Sequence, residues 1–251
     1  MDQPIFCTST SGNTLVQYFN PPIVLDYNKK YSMYCINASI FFTFPNVFSS
    51  TSGTYTQNNI LNFTVGATSY TITVPQGIYD INSLSTYVSQ SLVNQGLASN
   101  LIVLSGDNPT QLAVVQLNAN NVAIQFGTSS IRTLLGFNAI TIGPGTSGDY
   151  YYGNNIANFN ILTELLLHNS ACTGFRNNAS STTSSISDII SPILINTGVG
   201  QQILYDPNQV IKVRINQWVI DKFMIYWTDQ NNNLLVVNEP WNATFVITEE
   251  K

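Results

Sequence analysis

The sequence of 251 residues predicts an all-β fold, a jelly-roll β-sandwich with one or two short helices and a long surface loop insertion. More than ten short segments alternate apolar and polar residues with a period of two, as strands buried on one face do. Clusters of Gly, Pro, Asn and Asp separate them at the spacing of antiparallel sandwiches. The length suits one large β domain or two small ones. We expect a single jelly-roll domain over residues 23–251.

The first 22 residues have little core-like periodicity. We expect them to form an N-terminal arm or β-extension against a neighbouring subunit. The first strand pattern runs over residues 34–44, where the even-numbered positions are mainly apolar and predict one buried face. Pro45 ends this strand. Residues 61–65 and 70–74 alternate on either side of a glycine turn and predict a β-hairpin.

A helix is predicted after the hairpin. Apolar residues recur at spacings of three and four between positions 81 and 92, which places them on one helical face. Asp80 can cap the start of the helix, and Gly96 stands where a left-handed residue ends it. A second, shorter helix is predicted over residues 130–135, stopped by Gly136.

The other predicted elements are short strands and one long excursion. Residues 169–187 are rich in Ser, Thr and Asn with few apolar residues, and they predict a long surface loop. The strand patterns cover residues 101–104, 112–117, 122–126, 159–167, 193–195, 203–205, 210–215, 220–228, 234–237 and 244–248.

The composition excludes several classes of function. Charged residues make up 8% of the chain, against roughly 25% in typical soluble domains. With a formal charge of -5, the chain lacks the positive field that binds phosphates, which argues against nucleic acid and anionic membranes as partners. The sequence has no secretory signal pattern and no apolar run of membrane-spanning length. The cysteines lack the spacing of a zinc site and predict buried thiols: Cys7, Cys35 and Cys172.

No constellation of residues predicts catalysis, a cofactor or a metal site. The single histidine, His168, has no second His or Cys nearby in sequence and predicts a hydrogen-bonded residue at a strand end. Asp221 and Asp229 flank a strand as paired glycosidase carboxylates could, but a turn or strand-end role is favoured for each. Asp229 also opens a calcium-loop spacing that fails at Leu234 and Pro240, which favours a hairpin turn. We therefore expect a protein without enzymatic activity.

The best candidate for a contact surface is the run Tyr150, Tyr151 and Tyr152. These tyrosines stand in a stretch rich in Gly and Asn that predicts a loop, where three aromatic side chains are hard to bury completely. Tyr is enriched where proteins contact one another. Packing of the three tyrosines on their own domain is an equal alternative.

Four segments in order along the chain carry a family resemblance. The first, residues 70–84, reads YTITVPQGIYDINSL and joins a strand through a Pro-x-Gly-x-Tyr turn to a helix. The second, residues 131–137, ends in LLGF, and the third, residues 159–170, is a strand ending in HNS. The fourth, residues 220–247, ends in WNATFVI. Together they resemble the penton, or minor capsid, proteins of virophages and polinton-like (Maverick) viruses.

The resemblance implies a structural capsid protein that forms homopentamers, closes the fivefold vertices of an icosahedral virion and contacts the major capsid protein. It implies synthesis in the host cytoplasm without a signal peptide, and neither nucleic acid nor membrane as a partner. A host receptor is a further partner that surface loops could contact, with residues 169–187 as the expected place. The alternative is a carbohydrate- or receptor-binding β-sandwich, lectin-like or a fibre head, in which the three tyrosines stack on sugar.

Overall fold

The computed structural model describes residues 3–51, 55–160, 162–173, 175–177 and 185–250. The chain divides into two compact units: unit 1 is Met1–Phe44 with Leu162–Lys251, and unit 2 is Pro45–Ile161. Unit 1 begins with β1 (Gln3–Ser9), β2 (Thr14–Val24) and β3 (Tyr31–Phe41). Unit 2 contains β4 (Ile60–Val65), β5 (Thr68–Thr73), α1 (Ile81–Asn94), β6 (Ile102–Asp107), β7 (Leu112–Leu117), β8 (Val122–Gln125), α2 (Arg132–Leu135), β9 (Thr141–Ile142) and β10 (Asp149–Ile156). Unit 1 resumes with β11 (Glu164–Asn169), β12 (Phe175–Asn177), β13 (Ser185–Ser187), β14 (Ile189–Leu194), β15 (Gln202–Tyr205), β16 (Val213–Arg214), β17 (Val219–Asp229) and β18 (Trp241–Glu249).

Unit 1 is a jelly roll. One sheet has the strand order β1-β18-β3-β15, with β16 also paired to β3, and the other has the order β14-β11-β17-β2. Neighbouring strands in both sheets are antiparallel. The chain changes sheet at each step from β1 through β2 and β3 to β11, as the Greek-key winding of a jelly roll requires. The all-β sandwich expected from the sequence is therefore confirmed.

The core of unit 1 is built by inward side chains of both sheets. Trp227 on β17 and Trp241 on β18 pack edge to face with ring centroids 5.7 Å apart, and both are fully buried. Aromatic pairs in this geometry add stability beyond the area that they bury. As the sequence predicts, the structure has three unpaired, buried cysteines: Cys7, Cys35 and Cys172. Burial raises the pKa of each thiol to about 12.

The N-terminal segment, expected as an arm or β-extension, contributes two strands to the jelly roll. β1 pairs with β18 and β2 pairs with β17, so each is the edge strand of one sheet. Ile5 and Cys7 point into the core, whereas Phe6 and Tyr18 are exposed. Because apolar side chains lie on both faces of these strands, the sequence shows no clear alternation there. Residues 1–2 lie outside the described part of the chain.

The predicted strand at residues 34–44 is present as β3, but its buried face changes partway along. Ile36 has no partner in β18, because Cys35 pairs with Phe245 and Asn37 pairs with Thr244. This extra residue is a β-bulge, and it moves the following side chains to the other face. Met33 is therefore buried ahead of the bulge, while Tyr34, expected in the core, is only partly buried.

Unit 2 has two small sheets and the predicted helix. The sheets have the orders β5-β4-β8-β9 and β10-β7-β6, and they include the predicted hairpin as β4 and β5. α1 begins at the expected cap, where the Asp80 carboxylate accepts a hydrogen bond from the backbone of Ser83. Its apolar face is buried in the core of unit 2 through Leu84, Val88 and Leu92.

One buried side chain joins the two ends of unit 2. The amide nitrogen of Asn46 donates hydrogen bonds to the carbonyl oxygens of Tyr79, at 2.7 Å, and Phe159, at 2.9 Å. Its amide oxygen accepts a hydrogen bond from the backbone N–H of Tyr79 at 2.9 Å. The start of the inserted unit is therefore held against its end.

Several predicted segments of unit 1 differ from the structure. The strand expected at residues 210–215 is reduced to β16, and at residues 234–237 Leu234 alone forms a bridge, with Thr228. The excursion expected at residues 169–187 begins in the core, since Asn169 is fully buried. β12 and β13 pair with each other, and residues 174 and 178–184 lie outside the described part. A single domain was expected over residues 23–251, whereas the structure divides this range between two units. The sequence did not indicate the boundaries of the inserted unit, because no change of composition marks them.

Candidate contact surface

The three candidate tyrosines lie on a strand instead of a loop. They belong to β10, which is at the edge of its sheet and pairs with β7. Tyr150 stands opposite Gln116 and Tyr152 opposite Val114, so their side chains share one face of the sheet, and both are well exposed. This tyrosine face combines the aromatic rings of Tyr150 and Tyr152 with the amide of Gln116.

Tyr151 points the other way. It stands opposite the fully buried Val115 and packs against the core of unit 2. A Cβ atom placed on Gly145 would lie 2.4 Å from the Tyr151 hydroxyl and 2.3 Å from a carboxylate oxygen of Asp149, so the absence of a side chain at Gly145 leaves room for both groups. The structure therefore brings two of the three tyrosines together on the surface and uses the third for packing.

The second half of β10 is held by the end of α2. Gly136 follows α2 with a φ of 71°, a left-handed conformation that glycine adopts without strain. Its carbonyl oxygen accepts a hydrogen bond of 2.9 Å from the backbone N–H of Asn155. The tyrosine face is thus supported by β7 on one side and by the turn after α2 further along.

His168 lies in a buried polar network on β11. Its Nδ1 is 2.8 Å from the Asp188 carboxylate, and its Nε2 is 2.8 Å from the Thr228 hydroxyl. Its ring stacks on Tyr226 at 4.3 Å, and the Tyr226 hydroxyl donates to the same carboxylate at 2.9 Å. The predicted hydrogen-bonded strand-end histidine is confirmed, but its partners, Asp188 and Tyr226, carry no sequence signal that connects them to it.

The network shifts the pKa values of Asp188 and Tyr226 in opposite directions. Partial burial raises the pKa of Asp188, but the hydrogen bonds from His168 and Tyr226 outweigh it and hold that pKa below its usual range. Burial and the neighbouring carboxylate raise the pKa of the Tyr226 hydroxyl. Asp188 is therefore ionised at neutral pH and accepts both hydrogen bonds.

The order Asp188, His168, Thr228 has the connectivity of an acid, a base and a hydroxyl nucleophile. Thr228 is only 2% exposed, however, and His168 is 3% exposed. A nucleophile must reach a substrate carbonyl, and this hydroxyl is enclosed by the fold. The network therefore holds β11, β17 and the start of β14 together.

The two aspartates considered as a catalytic pair are far apart. They lie at opposite ends of β17, and eight residues of strand at about 3.3 Å each separate them by roughly 26 Å. Paired glycosidase carboxylates need less than about 10 Å. Asp229 instead accepts hydrogen bonds from the backbone of Asn231 and Asn233, which makes the predicted hairpin turn. Asp221 is exposed.

The described residues contain neither a candidate metal site nor a candidate membrane-spanning helix. No group of three or more His, Cys, Asp or Glu side chains in the described residues could hold a metal ion. Among the same residues, neither helix has the length and apolar character needed to cross a membrane.

Comparisons with known proteins agree with the topology. No family model and no curated protein matches the sequence. The crystal structure of the selenomethionine-labelled mavirus penton protein is similar, with a TM-score of 0.51 at 11% identity over 100% of both chains. The chain shares the fold of this penton protein. The 3.5 Å cryo-electron-microscopy structure of the Sputnik virophage matches with a TM-score of 0.47 at 11% identity, over 99% of this chain and 98% of that chain. The resemblance found in four sequence segments is thus confirmed at the level of the fold.

Proposed function

We propose that this chain is a structural capsid protein, the penton of a virion. In this role it forms homopentamers that close the fivefold vertices of an icosahedral capsid and contact the major capsid protein. The observation that carries the proposal is the shared fold, which extends over the full length of this chain and of the mavirus penton protein. Both the jelly roll and the inserted unit fall within that match.

The surface chemistry supports assembly with other protein. Charged residues are only 8% of the chain, so copies packed closely around an axis repel one another little. Contacts made mainly by apolar and hydrogen-bonding groups are screened little by salt. A low positive charge also fits a vertex component that does not bind the genome.

The mass of the native assembly tests the proposal. We expect purified protein, alone or with the major capsid protein, to form particles of five times 27.7 kDa. Virions labelled with an antibody against this chain should show density at the fivefold vertices. A stable dimer that neither joins the major capsid protein nor enters particles would contradict the proposal.

The tyrosine face of β10 supports a second candidate function, the binding of a carbohydrate or a host receptor. Tyr150 and Tyr152 expose aromatic rings on one face beside the amide of Gln116, and sugars are bound by such rings and amides. Residues 169–187 remain a proposed place for receptor contact, although several of them lie outside the described part of the chain.

Glycan binding by the monomer tests this second candidate. Tyr150→Ala with Tyr152→Ala should abolish binding to neutral oligosaccharides, because both stacking rings are lost. Tyr27→Ala is a suitable control, since Tyr27 is an exposed tyrosine of unit 1. Equal binding by the double variant and the control would rule out the tyrosine face as the site.

A further inference from the structure

The jelly roll of unit 1 has two open edges, each made of two strands that follow one another in the chain. The first edge consists of β1 and β2, which end their respective sheets and contact each other. The second edge consists of β14 and β15, which end the same two sheets on the opposite side. A jelly roll leaves such edges open because its sheets do not close into a barrel.

Large apolar side chains are exposed on both edges. On the first edge Phe6 is 74% exposed and Tyr18 is 68% exposed. On the second edge Leu194 is 71% exposed and Leu204 is 64% exposed. Exposed apolar side chains that recur on both edges indicate surfaces that another protein covers.

These edges lack one of the usual protections of edge strands, which is charge. Natural sheets commonly place charged residues, above all Lys, on exposed edges to prevent association. None of β1, β2, β14 and β15 contains a charged residue. β1, β2 and β14 contain prolines instead, and a proline cannot donate a backbone hydrogen bond to a neighbouring strand. The prolines are Pro4, Pro21, Pro22 and Pro192. The edges are therefore suited to packing through side chains and poorly suited to continuous strand pairing.

We propose that the first edge of one copy packs against the second edge of the next copy. This inference rests on the proposed homopentamer and names the surfaces that form it. A cyclic ring needs a heterologous interface, in which two different patches of the same chain meet. Two apolar, uncharged edges on opposite sides of one sandwich meet this requirement, and neither edge has to contact itself.

The exposed area is sufficient for such an interface. Taking roughly 200 Å² for an aromatic and about 100 Å² for an aliphatic side chain, the apolar residues of the two edges expose roughly 600 Å². Apolar atoms make up about 57% of a typical interface, so the whole contact would bury roughly 1,000 Å², the lower bound of a biological interface. The apolar set comprises Val199, in the connection between β14 and β15, and six residues of the edge strands: Phe6, Val16, Tyr18, Val24, Leu194 and Leu204.

One charged substitution on each edge tests the proposal by native mass measurement. Phe6→Glu should disable the first edge, and Leu204→Glu should disable the second, each weakening association roughly 100-fold because a charge is buried at the interface. The residues directly opposite them, Thr244 and Ser39, carry no charge. Both side chains are exposed in unit 1, so both variants should keep its fold, which circular dichroism would verify. Each variant alone should therefore be a monomer at concentrations where the wild type is a pentamer.

Two matched variants control for the added charge. Val93→Glu introduces the same charge at an apolar residue that is 49% exposed on α1, and Leu234→Glu does so at a leucine that is 62% exposed in the β17–β18 turn. Neither residue lies on an edge, so both control variants should remain pentameric.

Mixing the two edge variants separates a head-to-tail interface from a symmetric one. Each keeps one working edge, so the mixture should form particles of twice 27.7 kDa and nothing larger. A pentameric wild type whose edge variants also form pentamers would overturn the edge assignment and leave the penton proposal intact. Edge variants that are monomeric but give no paired species on mixing would also overturn it. A wild type that never forms pentamers would overturn both proposals.

Discussion

Replacing Asn46 with Ala tests how the ends of unit 2 are held together. The substitution removes three side-chain hydrogen bonds, two donated to the carbonyl oxygens of Tyr79 and Phe159 and one accepted from the Tyr79 N–H. Asn46 is buried, with 3% of its surface exposed. The one backbone hydrogen bond from the N–H of residue 46 to the carbonyl oxygen of Gly77 is unaffected.

The expected loss follows from the groups left behind. A buried hydrogen bond contributes about 1 kcal/mol net, and a buried polar group left without a partner costs about 1–3 kcal/mol. Three backbone groups lose their partner, but water entering the space of the missing amide satisfies part of that loss. We therefore expect the free energy of unfolding of unit 2 to fall by about 3 kcal/mol.

Hydrogen exchange measures this change within unit 2. The amide of Val88, which is buried on α1 and does not bond Asn46, should lose protection in Asn46→Ala by roughly two powers of ten, since 1.4 kcal/mol is about tenfold. All three tryptophans lie in unit 1, so tryptophan fluorescence follows that unit separately. Asn62→Ala is the control, because Asn62 bonds only the exposed side chain of Thr71 in unit 2 and should cost under about 0.5 kcal/mol. A loss below about 1 kcal/mol, with Val88 still protected, would refute the reasoning.

Three further predictions concern other parts of the chain. The pKa of Asp188 is lower in the folded state than in the unfolded state, so its contribution to stability is present above the unfolded pKa and is lost as the pH falls through the folded pKa. Asp188→Asn should remove this pH dependence in acid titrations. It should also destabilise unit 1 by about 1–3 kcal/mol. Gly136→Ala should cost more than Gly96→Ala in denaturant unfolding, because both residues have positive φ but a Cβ at Gly136 would lie 2.1 Å from the Asn155 carbonyl oxygen while Gly96 faces open space. Deleting residues 1–20 should unfold unit 1, as judged by tryptophan fluorescence, since it removes β1 and most of β2; a folded truncated protein would show that these strands are dispensable.

The sequence predicted elements whose local pattern agrees with their surroundings. α1 has its cap, its apolar face and its ending glycine within one segment, and the hairpin of β4 and β5 has its turn between two regular alternations. These signals are local, so no distant contact is needed to interpret them. The jelly roll could be inferred from the number and spacing of such strands.

The missed features depend on distant partners or on exposed apolar residues. The β-bulge at Ile36 is set by pairing with β18, more than two hundred residues away, and the alternation of β3 gives no sign of it. β1 and β10 were missed because Phe6 and the outward tyrosines occupy positions where a polar residue would have marked the exposed face. The contact surface at Tyr150 and Tyr152 stays a prediction, and nothing in the sequence indicated that Tyr151 turns inward.

The hydrogen bond between Asn46 and Phe159 joins the beginning of unit 2 to its end. The two ends of this segment of 117 residues, Pro45–Ile161, are therefore adjacent. The whole segment stands in the chain where a short loop between β3 and β11 would be sufficient. An inserted segment whose two ends lie together can accumulate substitutions, or be exchanged for another, without altering the register of the sandwich strands. Variation among relatives should therefore concentrate in unit 2, and foreign peptides displayed by this protein are best inserted in its turns.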